Sequence, residues 1–239
     1  MEVASVHKAD VAEKGFTVVD DVYSAEEIAA VIAAIEAADT SGTTFRKTGD
    51  LFAVRQFLKE FPELQDIIFN IKLKNIIRSL FGENYFVVKS IYFDKPPASN
   101  WYVACHQDLT ISVKERIETN GYGPWTKKQG QFAVQPPVEI LENIITIRLH
   151  LDNTNEANGA LKVFPGSHLN KIYRPENINR IKEPGEFCNV KKGGIMIMKP
   201  LLMHSSGRTQ NKERRRVIHI EFSSVSLPEP LQWAEQMFY

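Results

Sequence analysis

The chain has 239 residues, is 43% hydrophobic and 24% charged, and balances 29 basic against 29 acidic side chains. A neutral net charge gives no electrostatic reason to expect nucleic acid or an anionic membrane surface as partner, and no apolar run approaches the roughly 18 residues of a membrane-spanning helix. The two cysteines, Cys105 and Cys188, form no CxxC pair or zinc-like cluster, and residues 1–14 are charged throughout with no apolar signal core, so a reducing compartment, the cytoplasm, is the expected location.

The first predicted element begins at Ser24. Ser24 and Glu27 form an S-x-x-E capping box ahead of an Ala/Ile-rich stretch reaching about Ala38, and Ile28, Val31, Ile32 and Ile35 recur at helical spacing. Thr40-Ser41-Gly42 ends it. A second helical region is predicted over 62–81, with Ile67, Ile68, Ile71, Ile76, Ile77 and Leu80 on its buried side and Gly82 as its stop. Beyond Gly82 the pattern changes to strands: Phe86-Val87-Val88 and Ile91-Tyr92-Phe93, then 103–109, 144–151, 160–164, 194–198 and 217–222. Asn158-Gly159, Pro165-Gly166-Ser167 and Gly193-Gly194 supply turns between them. Helices first (about 1–82) and short strands after (about 83–223) predict one mainly β domain with flanking α-helices, an antiparallel barrel or jelly roll. Residues 112–137, with Gly121, Gly123, Gly130 and Pro136-Pro137, read as a long insertion of the kind that often carries function.

His106-Gln107-Asp108 falls in a strand-like segment, where positions i and i+2 share a face. An imidazole and a carboxylate side by side suit a first-row divalent metal, and one more histidine would complete a facial triad with open coordination positions. Alone the tripeptide is a weak signal, because a strand His and Asp often do no more than hydrogen-bond. His204, in Met203-His204-Ser205-Ser206-Gly207, is the candidate third ligand. His168 sits in a turn, and His7, His150 and His219 are alternatives that spacing does not separate. In the strand that follows Arg214, one face carries Arg216, Ile218, Ile220 and Phe222 and the other carries Arg215, Val217, His219 and Glu221. The first face suits a core. The second places Arg215 among polar groups, where its planar fork could hold a carboxylate; the plain alternative is a solvated basic run.

Taken in order, these segments resemble the phytanoyl-CoA dioxygenase family of Fe(II)/2-oxoglutarate oxygenases. Lys95-Pro96-Pro97 followed by His106-Gln107-Asp108, the run Asn158-Gly159-Ala160-Leu161-Lys162-Val163-Phe164-Pro165-Gly166-Ser167-His168, and His204-Ser205-Ser206-Gly207 carry the likeness. Glu13-Lys14-Gly15-Phe16 resembles the family's N-terminal entry. The resemblance implies a double-stranded β-helix (a cupin-like jelly roll), with His106, Asp108 and His204 as ligands of Fe(II), 2-oxoglutarate and O2 as cosubstrates, and Arg215, eleven residues beyond His204, as the anchor of the far 2-oxoglutarate carboxylate. It also brings Gln107 and Ser206 near the cosubstrate. Arg148 stands where the family often has tryptophan; a role toward the cosubstrate, a polar substrate or a structural ion pair stays open. Asp108 fills the position that related halogenases leave small, which counts against halogenation.

The implied activity is oxidation of a C–H bond of a small organic molecule, by hydroxylation, desaturation or rearrangement, with release of succinate and CO2. A non-catalytic or differently acting cupin-like metal protein is the competing reading. Substrate contacts are expected from Trp101, Trp125, Gln135 and Arg55, with Tyr102, Tyr122 and Phe132 nearby; ordinary packing is the alternative for each aromatic. Outside Arg214, Arg215 and Arg216 there is no basic cluster suited to coenzyme A, which favours a small metabolite.

Overall fold

The computed structural model describes residues 2–49, 52–174 and 184–239. In chain order they form α1 (Glu2–Glu13), β1 (Phe16–Val19), α2 (Ala25–Ala37), β2 (Phe45–Lys47), β3 (Phe52–Arg55), α3 (Phe57–Glu60), α4 (Gln65–Ile68) and α5 (Ile71–Phe81). There follow β4 (Phe86–Lys95), β5 (Val103–His106), β6 (Ile111–Val113), β7 (Trp125–Lys128), β8 (Gln131–Val134), α6 (Val138–Glu142), β9 (Ile144–His150), β10 (Leu161–Val163), β11 (Glu186–Cys188), β12 (Ile195–Met198), β13 (His204–Ser206) and β14 (Arg215–Ser223).

The α2 capping box forms as its sequence requires: Glu27 N–H donates to Ser24 Oγ and Ser24 N–H to the Glu27 carboxylate. The second helical region is not continuous. A 3-10 turn (Pro62–Leu64) and α4 precede a break at Phe69, and Asn70 restarts the helix by accepting the Leu73 N–H on its side chain. An asparagine cap inside an apolar run is the signal that separates the two helices. Gly82 closes α5 at φ +94°, as predicted. Helix α1, and strands β1 to β3, form where the sequence offered no periodic signal.

The strands build a seven-stranded sheet in the order β1-β12-β9-β14-β4-β3-β2, a four-stranded sheet β11-β10-β13-β5 and a three-stranded sheet β6-β8-β7. The pairings are antiparallel throughout, and the first two sheets face each other as a double-stranded β-helix. Strand alternation decides what each face of the large sheet meets. Ile218, Ile220 and Phe222 of β14 join Ile145, Ile147 and Leu149 of β9 in the core that also contains Ile28, Val31 and Ile35 of α2 and Leu73 and Ile77 of α5. The opposite face of the same strands looks into the barrel. The predicted insertion is the three-stranded sheet, whose Ile111, Val113 and Val134 pack with Leu141 and Trp233 in a separate cluster; most of it is thus structural, and only its β7–β8 turn reaches the cavity described below. Among the described residues no helix is long and apolar enough to cross a membrane.

Candidate metal and cosubstrate site

Between the two facing sheets lies a cavity of about 290 Å³, lined by Arg46, Ala53, Arg55, Phe93, Trp101, Val103, His106, Asp108, Lys128, Gln129, Arg148, Leu161, His204, Ser206, Arg215 and His219. The small sheet supplies the metal-type donors. His106 ends β5, His204 begins β13, and the two residues pair directly across the ladder with ring centroids 4.3 Å apart. The strand stops at His106, so alternation does not place Asp108; its N–H donates instead to Pro200 O at 2.9 Å. The carboxylate lies 3.6 Å from His106 Nε2 and 3.8 Å from His204 Nε2. One donor atom from each of the three falls within 4.8 Å of the others, a set that can hold a metal ion.

Both imidazoles are oriented by local backbone. His106 Nδ1 donates to Ala104 O at 2.8 Å and His204 Nδ1 to Leu202 O at 2.9 Å. That places the ring protons on Nδ1 and leaves each Nε2 lone pair facing Asp108. Burial, opposed by Asp108, pulls the His204 pKa down to about 4, so this ring is neutral at pH 7 and ready to ligate. Burial opposes the Asp108 charge, but His204, His106, His219 and Lys89 around it outweigh that and hold its pKa well below the ordinary carboxylate range. The other histidines are occupied elsewhere: His7 with Thr17, His150 with Thr154 and His168 with Ala12 O.

The large sheet supplies the cations. Arg148 of β9 and Arg215 of β14 point inward, and each leaves a buried Nε without a hydrogen-bond partner among the described residues. Arg215 Nη1 and Ser206 Oγ both donate to Gly159 O, and the Lys95 ammonium donates to Gly207 O. Burial, and then the nearby Arg148, drives the Arg215 pKa down to about 9; burial, and then Arg215, drives Lys95 down to about 8. Cations packed this closely with unspent donors are costly without an anion between them. Arg148 Nη1 donates to His219 Nδ1 at 3.2 Å, and His219 Nε2 donates to Glu221, which also pairs with Lys89 at 2.7 Å. The alternation of β14 puts His219 and Glu221 on the Arg215 face, as expected from sequence; Lys89, on the neighbouring β4, is the member of this chain that sequence reasoning missed, and the antiparallel pairing of Lys89 with Glu221 is what brings it in.

Of the residues expected near cosubstrate or substrate, Arg148, Arg215, Ser206, Trp101 and Arg55 line the cavity. Gln107 does not: its amide donates to Lys171 O and Leu201 O and its carbonyl accepts the Tyr173 N–H, so it ties the loop behind the metal-type residues. Trp125 packs on the three-stranded sheet under Arg116, and Gln135 is paired through its backbone with Gly123 and Pro124; neither lines the cavity. Tyr122 and Phe132 join the same cluster as Trp125, and Tyr102 is exposed beneath Arg208. A larger cleft of about 460 Å³ beside α2 contains Glu36, Asp94 and Arg214, but these groups pair with one another and hold no metal-type cluster.

Gly159 gives a direct test of this packing. Its φ is +86°, and a Cβ there would meet Lys95 Nζ at 2.7 Å and Gly207 O at 3.0 Å. Gly159→Ala is expected to cost about 1–3 kcal/mol of stability through left-handed backbone strain and the clash, measured by urea unfolding. An unchanged midpoint would mean that the Arg215 cradle is looser than described.

Two histidines and a carboxylate with open positions mark the non-haem Fe(II) oxygenases as a class, and comparison with known proteins narrows it. Residues 11–217 match the model of the phytanoyl-CoA dioxygenase (PhyH) family, and the chain belongs to that family. A curated relative from Stutzerimonas stutzeri, named a probable alpha-ketoglutarate-dependent hypophosphite dioxygenase, is 24% identical over 247 residues, covering 89% of this chain and 76% of that protein. EctD from S. alaskensis superposes with TM-score 0.73 at 16% identity over 95% of this chain and 79% of that one, and it has also been solved with 2-oxoglutarate and 5-hydroxyectoine. EvdMO1 superposes with TM-score 0.67 at 19% identity over 92% of this chain, which spans half of that longer protein, 50%. The protein is a 2-oxoglutarate-dependent non-haem iron dioxygenase.

Proposed function

We propose that His106, Asp108 and His204 hold Fe(II), that Arg215 anchors 2-oxoglutarate, and that the enzyme oxidises a C–H bond of a small organic metabolite, hydroxylation being the default outcome. The observation that carries the reading is the opposition of two half-sites: three convergent metal-type donors on the small sheet and two buried arginines with unpaired Nε atoms on the large one. A dicarboxylate that chelates a metal at one end and ends in a charge at the other fits both. When bound, iron with 2-oxoglutarate and O2 supplies the oxidising power, with succinate and CO2 as coproducts.

The chain's own residues do the positioning. Backbone carbonyls of Ala104 and Leu202 fix the two imidazoles. Ser206 and Arg215 share Gly159 O, which sets the guanidinium against the cavity wall. Arg148, held by His219 and through it Glu221, supplies the second cation that a dianion needs. Phe93 and Trp101 stack at 6.3 Å and shield one wall from water. At about 290 Å³ the cavity falls at the lower end of ligand pockets, roughly 300–1,000 Å³. Shared with the cosubstrate, it suits a small molecule and leaves an acyl-CoA no room to be enclosed.

Anaerobic titration of the Fe(II)-loaded protein with 2-oxoglutarate is expected to give the weak visible metal-to-ligand charge-transfer band at one equivalent. Its absence would sink the reading. A mass-spectrometric metabolite screen, scored for gain of one oxygen or loss of two hydrogens, then separates hydroxylation from desaturation.

A further inference from the structure

The cavity carries more positive charge than the cosubstrate accounts for. Five cations line it, Arg46, Arg55, Lys128, Arg148 and Arg215, against one acid, Asp108. The two carboxylates of 2-oxoglutarate, with Asp108, balance a divalent metal and an inner arginine. Nothing in that set neutralises the second inner arginine, nor Arg46, Arg55 and Lys128.

Strand register shows that this trio is a separate group. Arg55 of β3 is level with Ile91 of β4, which is level with His219 of β14. Arg215 lies four residues further along β14. At about 3.3 Å per residue along a strand and about 4.8 Å between strands, their backbones are rooted roughly 16 Å apart. Arg46, level with Ala53, adds its charge to the Arg55 side, and both strands present these residues to the cavity.

The third member arrives from the β7–β8 hairpin. Gln129 at its turn has φ +49°, an uncommon conformation for a non-glycine residue, and it accepts the Arg55 Nε–H at 2.9 Å. Gln56, also left-handed at φ +52°, donates to Gln131 Oε1 at 2.7 Å. These two bonds clip the hairpin onto the end of β3 and bring Lys128 to the cavity beside Arg55. Arg116, Arg214 and Arg216 each pair with a carboxylate; among the described residues Arg46, Arg55 and Lys128 have no such pair. Burial, and then Arg46, lowers the Arg55 pKa, as expected of a cation held without a counter-charge.

We propose that Arg46, Arg55 and Lys128 form a second anion site at the cavity mouth, and that the substrate is a small organic oxyanion, a carboxylate or a phosphonate, whose charged end docks there while its reacting C–H bond faces His106, Asp108 and His204. This rests on the dioxygenase reading above and adds the class of substrate. Arg46 and Lys128 are exposed and Arg55 is half-buried, so an uncharged isostere forgoes the charge-assisted contacts and leaves the half-buried Arg55 without a counter-charge.

The test is calorimetric titration of the Fe(II)- and 2-oxoglutarate-loaded protein, under argon, with propionate, with ethylphosphonate and with neutral propionamide. At least one of the two anions is expected to bind with unit stoichiometry, and the arm that binds distinguishes the carboxylate from the phosphonate. Propionamide is expected not to bind. Arg55→Gln should weaken the anion by at least about tenfold, the loss of one charge-assisted contact, and Arg55→Lys should recover part of it. The 2-oxoglutarate band titrated in parallel should keep its midpoint within about twofold, since distant sites act independently. The proposal is overturned if neither anion binds while 2-oxoglutarate titrates normally. It is also overturned if anion binding survives in the triple variant Arg46→Gln/Arg55→Gln/Lys128→Gln, or competes one-for-one with 2-oxoglutarate. A wild-type protein that fails to bind 2-oxoglutarate would instead remove the dioxygenase reading and this proposal with it.

Discussion

Asp108→Ala is expected to abolish 2-oxoglutarate turnover by emptying the iron site, not by unfolding the chain. Removing a partner that merely orients a metal ligand already costs 10–100-fold in affinity or activity, so loss of the carboxylate itself should cost more than about 100-fold. What remains is two neutral imidazoles and no anionic donor, in a cavity otherwise lined by cations. The fold should tolerate the change. Asp108 is half-buried, and its placement comes from its backbone N–H on Pro200 O, which the truncation leaves in place. The check is metal content after reconstitution, succinate yield and a melting curve measured together. Wild-type iron stoichiometry in a folded Asp108→Ala protein would sink the assignment. His106→Ala should behave alike, because its Nε2 is aimed at the same point by the Ala104 carbonyl.

How far this site was legible in the sequence depended on what kind of force places each residue. Where alternation places a side chain, as on β14, the faces read from sequence are those found: Ile218, Ile220 and Phe222 in the core, Arg215 and His219 in the cavity. Where a single tertiary hydrogen bond places it, alternation misled. Asp108 was expected on a strand and lies beyond the strand's end, and Gln107 was expected at the cosubstrate but is spent on Lys171 and Leu201 carbonyls. The choice of His204 over the other histidines could not come from spacing, since it depends on β13 pairing with β5 across nearly a hundred residues of chain. The insertion is the sharpest divergence. Its glycines and prolines suggested a functional loop, but its β-branched and aromatic residues had enough apolar surface to make a sheet of their own. Only its turn, forced open by left-handed Gln129 and Gly130, reaches the cavity. Trp125 and Gln135 belong to the structural part, while Lys128, one of the Lys127-Lys128 pair in a polar stretch, carries no periodic signal that would set it apart.

Arg215→Ala should separate cosubstrate binding from metal binding. Truncating one partner of a buried, hydrogen-bonded charge pair costs about 2–5 kcal/mol, so the 2-oxoglutarate requirement is expected to rise at least about thirtyfold. Iron affinity should stay within about threefold, because Arg215 stands on the opposite sheet from the metal-type donors. The neighbouring arginines cannot substitute. Arg214 is engaged by Asp94, with Nε donating at 2.8 Å, and Arg216 by Asp152, with Nε donating at 2.9 Å. The variant should also remain folded without ligand: it gives up the bond to Gly159 O, but it relieves the repulsion between Arg215 and Arg148 that helps to lower the Arg215 pKa. Anaerobic titration of the charge-transfer band gives the cosubstrate midpoint, and metal analysis gives the iron. An unchanged midpoint would transfer the anchor to Arg148, whose unpaired Nε faces the same cavity, and Arg148→Ala would then carry the thirtyfold effect. If both single variants shift the midpoint and the double variant shifts it by less than their product, the two guanidiniums grip one carboxylate together. If the shifts multiply, they act on separate ends of what the cavity holds.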